Sequence, residues 1–467
     1  MRRISKLTVE NIKIIDTSSK GKSVGKTKEG EVIFIDNGVP GDIVNVHVYK
    51  KRKGYYEGRI DKIISSSDHR VDPKCNHFGI CGGCKWQNMK YSTQLIYKQR
   101  EVFENIKRIG KIELINPETI LGSSKQYFYR NKMEFSFSNR RWLTNEEIHT
   151  KGKDLEKNGL GFHKPGMWDK IIDIKKCHLQ EEPSNKIRNS IRDYSIKNNL
   201  SFYDHHSKSG LLRTLMIRIS SIGDLMVLIQ FFESDFKSIN SLLDYLKSEF
   251  PNITSLNYCI NKKDNDTIYD QEIVCYSGKS HITEVMEDLS FKITPKSFYQ
   301  TNSQQANELY KIALDFAKLE GSEIIYDLYT GTGTIAQFIS KKCYKVIGIE
   351  SVPEAIEAAR HNAQVNNINN AKFVVGDIKK VFNNDFIKNN GKADVIITDP
   401  PRDGMHKKVI DQILKLFPNK IVYISCNSAT QARDLAILKS KYKITRSRAV
   451  DMFPQTHHVE NVVLLEK

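Results

Sequence analysis

The stretch Glu323-Ile-Ile-Tyr-Asp-Leu-Tyr-Thr-Gly-Thr-Gly-Thr334 decides the fold of the carboxyl-terminal part of the chain. It reads as a short apolar strand that enters a turn with two glycines, and a helix at 335–340 and a strand at 345–349 follow. An acidic residue, Glu350, comes directly after the second strand. This order predicts the β-α-β unit of a Rossmann-like domain, with the acid placed to bind ribose hydroxyls.

The glycine turn alone leaves the cofactor open, because residues 331–336 also fit the Gly-x-Gly-x-x-Ala spacing of NAD enzymes. The strand at 394–399 favours a different cofactor, since it ends in Asp399 followed by two prolines. This ending resembles the Asp/Asn-Pro-Pro signature of methyltransferases, where a carboxylate can offset the sulfonium charge of S-adenosylmethionine. Amino-group methyltransferases usually place an aromatic residue next. Arg402 stands there instead and suits an anionic substrate or a carbon target.

The apolar strand at 420–425 ends at Cys426, and a turn-forming asparagine follows. By its position alone, this cysteine reads first as a small buried apolar residue. The alternative is a nucleophile, which requires a thiolate in a suitable setting. The motifs before and after Cys426 favour the nucleophile.

Strand-like runs separated by glycine-containing turns fill residues 6–64. Short alternating strands of this kind predict a small antiparallel barrel. Residues 50–56, Lys-Lys-Arg-Lys-Gly-Tyr-Tyr, place four cations beside two aromatic rings on one turn. That combination suits phosphate contact with base stacking, and a solvated hairpin tip is the alternative.

Cys75, Cys81 and Cys84 form a Cys-x5-Cys-x2-Cys pattern that contains three glycines. The glycines let the backbone wrap closely around an ion or cluster held by thiolates. Three such cysteines need a fourth ligand, and Cys177 is the best candidate. The spacing alone does not separate zinc from an iron–sulfur cluster.

The composition favours a polyanionic partner. The 467 residues exceed one hydrophobic core, and 72 Lys+Arg against 55 Asp+Glu give a formal net charge of +17. RNA, DNA or an anionic membrane would each fit this charge. No apolar run approaches the roughly 20 residues that cross a bilayer, and no signal-peptide core follows Met1. We therefore expect a cytoplasmic protein without membrane contact, whose eight cysteines are not in disulfides.

Further stretches complete an ordered set of motifs. They are the turn Gly38-Val-Pro-Gly-Asp42, the loop Ser297-Phe-Tyr-Gln-Thr-Asn302, the tripeptide Ser425-Cys-Asn427 and the segment Asp451-Met-Phe-Pro-Gln-Thr-His-His-Val-Glu460. With the glycine turn and the cysteines, they resemble the RNA (uracil-5-)-methyltransferase family over nearly the whole chain. In detail the chain is similar to the branch that carries a TRAM domain and a 4Fe–4S cluster and methylates 23S rRNA. Thr330 and Ser428 depart from the common family residues, Cys and Pro, but neither position carries the chemistry.

The resemblance implies a multidomain α/β protein. Residues 1–66 would form the OB-like TRAM barrel that binds RNA, and residues 67–290 a mixed α+β domain with the iron–sulfur site. Residues 291–467 would form the Rossmann-like class I methyltransferase domain. The helix expected at about 93–110 is a candidate to pack on that catalytic domain.

The resemblance also assigns roles to residues. Carbon 5 of uracil attacks a methyl group only after a thiolate adds to carbon 6, and a base must then remove the carbon 5 proton. The family pattern gives the nucleophile to Cys426, the base to Glu460 and a place beside them to Asp399. The residues expected to contact S-adenosylmethionine are Gln300, Tyr329, Thr334, Glu350, Asp377 and Asp399. The four expected ligands of a structural 4Fe–4S cluster are Cys75, Cys81, Cys84 and Cys177.

Three alternatives stand beside this interpretation. A tRNA methyltransferase of the same family is one, but that branch typically lacks the barrel and the cysteines, so their presence favours 23S rRNA. A non-catalytic RNA-binding protein would retain its function in Cys426→Ala. A redox enzyme would have no use for the motifs at Asp399 and Cys426. We expect a monomer that turns its target base out of the RNA.

Overall fold

The computed structural model describes residues 7–150 and 155–467, without the side chains of residues 145, 146 and 150. The first six residues of the predicted barrel segment lie outside these ranges. The described residues form a closed barrel, a seven-stranded sheet, a two-stranded sheet and an eight-stranded sheet. Within these ranges, no helix is both long and apolar enough to cross a membrane.

The amino-terminal barrel closes in the order β1-β2-β3-β5-β4. Its strands are β1 (Leu7–Thr17), β2 (Ser23–Lys26), β3 (Val32–Asp36), β4 (Ile43–Arg52) and β5 (Tyr55–Ser65). Alternate residues of β4, Val44, Val46 and Val48, are buried in its core, as their period of two predicts. The barrel is not wholly antiparallel, because β3 and β5 run parallel. The alternation of apolar and polar residues predicts a strand but not the strand with which it pairs. The parallel pairing of β3 with β5 could therefore not be predicted from the sequence.

The next two elements are helix α1 (Tyr91–Arg108) and strand β6 (Glu118–Leu121). A mixed sheet follows, in the order β13-β12-β11-β10-β7-β8-β9. Its strands are β7 (Lys132–Ser138), β8 (Gly159–His163), β9 (Ile171–Asp173), β10 (Leu212–Ile219), β11 (Leu225–Phe231), β12 (Ser255–Ile260) and β13 (Val274–Gly278). The helices of this region are α2 (Asn145–Thr150), α3 (Ser184–Lys197) and α4 (Phe236–Glu249). Apolar residues of α3 and α4 share one buried core with β10 and β11.

The carboxyl-terminal region is a doubly wound α/β unit. It opens with the antiparallel pair β14 (Ile282–Met286) and β15 (Leu289–Ile293). The strands that follow are β16 (Ile324–Leu328), β17 (Lys345–Glu350), β18 (Ala371–Val375), β19 (Val395–Thr398), β20 (Lys420–Ser425), β21 (Lys443–Val450) and β22 (Glu460–Glu466). The helices are α5 (Ser303–Ala317), α6 (Thr334–Ser340), α7 (Pro353–Val365), α8 (Ile378–Val381), α9 (Asn384–Asn390), α10 (Lys407–Leu416) and α11 (Ser428–Leu438).

The eight-stranded sheet has the order β18-β17-β16-β19-β20-β22-β21-β6. The first five strands are parallel, whereas β22 runs antiparallel to β20 and β21. Apolar cores cover both of its faces, which explains the continuous apolar runs in β19 and β20. The predicted multidomain α/β architecture is confirmed, and the carboxyl ends of the parallel strands meet at one edge.

Helix α1 and strand β6 precede the mixed sheet in the chain but pack on the eight-stranded sheet. Strand β6 pairs in parallel with β21, and α1 packs against α11. The side chains of Val102 and Ile106 on α1 are fully buried in the core of that sheet. The carboxyl-terminal sheet is therefore completed by residues from early in the chain.

Candidate active site

Three chemically active side chains follow or begin neighbouring strands at one sheet edge. Asp399 follows β19 and Cys426 follows β20, and these strands are aligned by the pairing of Thr398 with Tyr423. Glu460 begins β22, where the antiparallel pairing of Ser425 with Asn461 brings it opposite Cys426. The structure thus brings the three predicted catalytic residues together.

Cys426 lies in a tight connection between β20 and α11. The side-chain oxygen of Asn427 caps α11 by accepting hydrogen bonds from the backbone N–H groups of Ala429 and Thr430, at 3.1 and 3.5 Å. The Asn427 amide also donates to the backbone carbonyl of Arg402 at 2.9 Å. The asparagine after the cysteine therefore ends the strand, starts the helix and ties both to the Asp-Pro-Pro-Arg loop.

The surroundings of Cys426 keep its thiol protonated. Partial burial raises the pKa of this thiol to about 11, and the carboxyls of Glu460 and Asp399 add to the effect. The Arg402 guanidinium acts in the opposite direction on the same pKa. At neutral pH the Cys426 side chain is therefore a thiol, and it could act as a nucleophile only after losing its proton.

Asp399 and Glu460 are two neighbouring carboxyl groups, of which Glu460 is buried and Asp399 is half-buried. Burial raises the pKa of both, and the charge of Asp399 raises that of Glu460 further, while Arg402 lowers it. Two carboxyls in mutual range do not ionise independently, so the pair retains a proton more readily than either isolated acid. A carboxyl whose pKa is moved towards neutrality can both accept and release a proton there, as a general base requires.

The glycine turn leaves room for a ligand beside this edge. Gly331 and Gly333 both have positive φ angles, 56° and 76°, which glycine adopts without strain. A side chain at Gly331 would enter open space, whereas one at Gly333 would collide with Phe373 and Ala359. The Gly331 N–H donates to a carboxylate oxygen of Glu350 at 3.2 Å, so the turn and the acid after β17 face each other.

Buried polar atoms without partners mark the same place. Among the described residues, the Thr398 hydroxyl, one carboxyl oxygen of Asp327 and the Tyr299 hydroxyl are buried and form no hydrogen bond. Buried polar groups are normally paired, so the unpaired atoms of Asp327 and Thr398, near the carboxyl ends of β16 and β19, fit a polar ligand. S-adenosylmethionine, with its ribose and amino-acid groups, has the polarity for this site.

The residues predicted to contact the cofactor come from several elements of the carboxyl-terminal region. Tyr329 and Thr334 flank the glycine turn, and the Thr334 hydroxyl lies 3.3 Å from that of Thr332. Gln300 lies in the loop 297–302, which the Thr332 hydroxyl contacts through the Phe298 carbonyl at 3.4 Å. Asp377 follows β18 and caps α8 by accepting from the Lys379 N–H at 3.1 Å.

The four predicted metal ligands line one cavity of about 390 Å³. Its lining includes Cys75, Cys81, Cys84 and Cys177. Burial raises the pKa of Cys81 to about 11 and that of Cys84 to about 12, and neighbouring cysteines add to both shifts. All four are free of disulfides. In the described ranges, no group of three or more Cys, His, Asp or Glu is drawn close enough to hold a single metal ion.

Two histidines near the active site were not among the sequence-predicted residues. His457 and His458 have ring centroids 4.1 Å apart. Burial and the nearby Arg402 charge lower the pKa of His458 to about 4, so its ring is neutral. The sequence contained a signal for both histidines, because they stand within the predicted motif that ends at Glu460.

Comparison with known proteins agrees with this geometry. Residues 276–467 match the family model described as tRNA (Uracil-5-)-methyltransferase, and residues 7–60 match the TRAM domain. A Bacteroides thetaiotaomicron protein described as an uncharacterized RNA methyltransferase is 52% identical over 96% of this chain and 99% of its own. A Porphyromonas gingivalis protein of the same description is 50% identical over 97% and 99%.

A solved structure extends the likeness to three dimensions. It is the Pyrococcus abyssi tRNA (uracil-54, C5)-methyltransferase in complex with S-adenosyl-L-homocysteine. The two chains are 28% identical with a TM-score of 0.75, covering 97% of this chain and all of the other. The predicted TRAM barrel and the predicted S-adenosylmethionine-dependent methyltransferase fold are both confirmed. This chain belongs to the tRNA (uracil-5-)-methyltransferase family of RNA methyltransferases, with a TRAM domain ahead of its catalytic region.

Proposed function

We propose that this protein methylates carbon 5 of a specific uridine in 23S rRNA through a covalent bond between Cys426 and carbon 6 of uracil. The observation that carries the proposal is the meeting of Cys426, Asp399 and Glu460 at one sheet edge beside the glycine turn. A nucleophile beside a pair of proton-accepting carboxyls is what addition to carbon 6 and removal of the carbon 5 proton require.

The proton transfers follow from the order of the residues. Cys426 loses its thiol proton to the Asp399 carboxylate as its sulfur bonds to carbon 6, so that Glu460 stays ionised for the later step. When bound, S-adenosylmethionine supplies the methyl group on a sulfonium centre. Glu460 then takes the carbon 5 proton, the carbon–sulfur bond breaks, and Cys426 is released as the thiolate.

We place the cofactor against the residues around the glycine turn. Glu350, at the end of β17, suits the ribose hydroxyls, and Asp377, after β18, suits the adenine side. Gln300 would hold the methionine end, with Tyr329 and Thr334 completing the pocket. The open space at Gly331 and the unpaired polar atoms nearby support this placement.

We propose that Cys75, Cys81, Cys84 and Cys177 hold a 4Fe–4S cluster with a structural role. A single tetrahedral zinc ion, with Zn–S bonds of about 2.3 Å, draws its thiolates to about 3.8 Å from one another. Four thiols that line a cavity of about 390 Å³ are better suited to a 4Fe–4S cluster, which is larger than a single zinc ion.

The cysteine segment is also tied to the loop in front of Glu460. The N–H groups of Lys85 and Trp86 both donate to the Gln455 carbonyl at 3.0 Å. A cluster would therefore stabilise the loop that leads to the catalytic base. Iron and acid-labile sulfide measured in anaerobically purified protein, with the Cys84→Ser variant as the control, test this assignment. Zinc in place of iron would refute it.

The RNA substrate is supported by two features. The barrel carries the basic turn of residues 50–56, in which Lys51, Arg52 and Lys53 are exposed for phosphate contact, whereas the Tyr56 ring is buried in the barrel core. The four cysteines favour 23S rRNA. However, the tRNA enzyme of Pyrococcus abyssi matches 97% of this chain, so the barrel does not by itself distinguish the two substrates. A tRNA uridine is therefore the second candidate.

We further propose that the protein is a monomer, that it is located in the cytoplasm and that its chain divides into residues 1–66, 67–290 and 291–467. In that division we assign α1 and β6 to the catalytic unit, because they pack on its sheet.

Mass-spectrometric quantification of 5-methyluridine tests the substrate. 23S rRNA and tRNA are purified separately from the parent and from a strain in which the gene is deleted. Loss of 5-methyluridine from 23S rRNA alone supports the proposal, and loss from tRNA alone supports the second candidate. Unchanged 5-methyluridine in both fractions would contradict the proposed activity.

A further inference from the structure

The three residues before β7 contact both loops that carry the proposed chemistry. The Tyr129 hydroxyl donates to the Pro454 carbonyl at 3.0 Å, within the segment that leads to Glu460. The guanidinium of Arg130 lies 5.2 Å from the centre of the Phe453 ring in the same segment. Asn131 contacts the other loop, which contains Gln300. A short stretch of the mixed-sheet region thus reaches two separate parts of the active site.

Asn131 donates three hydrogen bonds to the loop 297–302 and to Ser303, the first residue of α5. Its backbone N–H donates to the Thr301 carbonyl at 2.8 Å. Its side-chain amide donates to the Gln300 carbonyl and to the Ser303 hydroxyl, both at 2.8 Å. The side-chain oxygen of Asn131 is buried and accepts no hydrogen bond from the described residues, so the side chain acts on this loop as a donor.

Asn131 is itself anchored in the mixed sheet. Its carbonyl accepts from the Ile219 N–H at 2.8 Å and from the Gln180 side-chain amide at 3.1 Å. The neighbouring residue on β10, Arg218, is buried and donates to the Ser297 carbonyl at 2.6 Å. The loop is therefore held by residues at the mixed sheet, which is a different part of the fold.

We infer that Asn131 is a positioning residue, which sets the conformation of the Gln300 loop and thereby the affinity for S-adenosylmethionine. The inference rests on the proposed function in taking Gln300 as a cofactor contact. One side-chain hydrogen bond from Asn131 fixes the direction of the Gln300 carbonyl, and the other holds the Ser303 hydroxyl at the end of the same loop. Without them, the loop can rotate and Gln300 leaves its place.

The test measures binding of S-adenosylhomocysteine by isothermal titration calorimetry to the full-length protein. Asn131→Ala removes the donor, and Asn131→Asp keeps the shape but replaces the amide with an acceptor. Both should raise the dissociation constant about tenfold, the effect of one lost hydrogen bond of ordinary strength. If Asn131→Ala does not fold, the dissociation constant of Asn131→Asp alone decides the test.

Asn139 provides a matched control. It follows the other end of β7, is half-buried like Asn131, also has an unpartnered side-chain oxygen, and donates to Asp204 at 3.0 Å. Asn139→Ala should lower the melting temperature as much as Asn131→Ala does, but leave S-adenosylhomocysteine binding within about twofold. Equal weakening by the two alanine variants would show a general loss of stability and overturn the inference.

Gln300→Ala separates failure of the inference from failure of its premise. If Gln300→Ala weakens binding and both Asn131 variants do not, Asn131 has no positioning role and the cofactor placement stands. If neither Gln300→Ala nor the Asn131 variants weaken binding, the loop is not part of the cofactor pocket. Both the positioning role of Asn131 and the proposed cofactor contact of Gln300 are then refuted. Weakening in Gln300→Ala and both Asn131 variants, with Asn139→Ala unaffected, supports the inference.

Discussion

A buried ion pair secures the segment in front of Glu460, and breaking it should be costly. The Lys98 ammonium on α1 contacts the Asp451 carboxylate at 2.5 Å, and both side chains are wholly buried. Lys98 also donates to the Phe453 carbonyl at 3.1 Å, and the Tyr91 hydroxyl donates to the second Asp451 oxygen at 2.9 Å. The Lys98→Met change leaves the Asp451 charge buried without its cation.

The expected cost follows from this geometry. Removing one partner of a buried ion pair costs about 3–5 kcal/mol in the free energy of unfolding, because the remaining charge stays desolvated. The double variant Lys98→Met, Asp451→Asn removes that charge and should recover part of the loss. Lys311→Met is the matched control, since Lys311 and Glu287 are 46% and 44% exposed. Such a surface pair contributes about 1 kcal/mol or less.

Urea unfolding monitored by tryptophan fluorescence measures these energies. Trp86 is a suitable reporter because it is buried and its backbone donates to Gln455, four residues after Asp451. A Lys98→Met protein within about 1 kcal/mol of the wild type would refute the reasoning, since about 3 kcal/mol is expected at least. So would a double variant that is no more stable than Lys98→Met alone.

Further predictions concern the catalytic groups. Glu460→Gln should lower turnover by about 10²–10⁴-fold, because no base removes the carbon 5 proton, while the protein–RNA adduct accumulates on denaturing gels. Turnover at the wild-type rate would exclude Glu460 as the base. Because the pKa of the Cys426 thiol is raised to about 11, its alkylation by iodoacetamide should still increase with pH above 9, and peptide mass spectrometry follows it. A plateau near pH 8.5 would instead indicate an ordinary thiol. The same pKa implies that the folded protein retains this proton more tightly than the unfolded chain does. The stabilisation is complete below the unfolded pKa of about 8.5 and is lost as the pH rises towards about 11, so Cys426→Ala should flatten the fall in melting temperature over this window.

Local patterns were sufficient to predict the centre of the catalytic sheet. The sequence predicted a strand at 394–399 and another at 420–425, and the structure has β19 at Val395–Thr398 and β20 at Lys420–Ser425. Carboxyl ends of parallel strands meet at one edge, so the motifs after these strands were expected at the same edge. That Asp399 lies beside Cys426 was implied by the family resemblance, and the direct pairing of β19 with β20 is seen only in the structure.

Long-range pairing was not accessible in the same way. Strand β6 lies about 330 residues from its partner β21, as in the pairing of Glu118 with Arg448, and nothing in its four residues indicates that partner. The contact of Asn131 with the Gln300 carbonyl also joins distant segments through a backbone atom, which carries no sequence signature. The hydrophobic period and the residue propensities of a segment predict which type of element it forms. The contacts named here depend instead on how separate elements pack.

The most direct test of the covalent mechanism uses RNA that contains 5-fluorouridine. Fluorine at carbon 5 cannot be removed as a proton, so the bond between the cysteine and carbon 6 persists after methyl transfer. We predict a complex of protein and RNA that survives denaturing electrophoresis with S-adenosylmethionine present, yields a Cys426 peptide joined to the nucleotide, and is absent in Cys426→Ala. The same complex formed in full by Cys426→Ala, or its absence from wild-type protein that methylates unmodified RNA, would contradict the account.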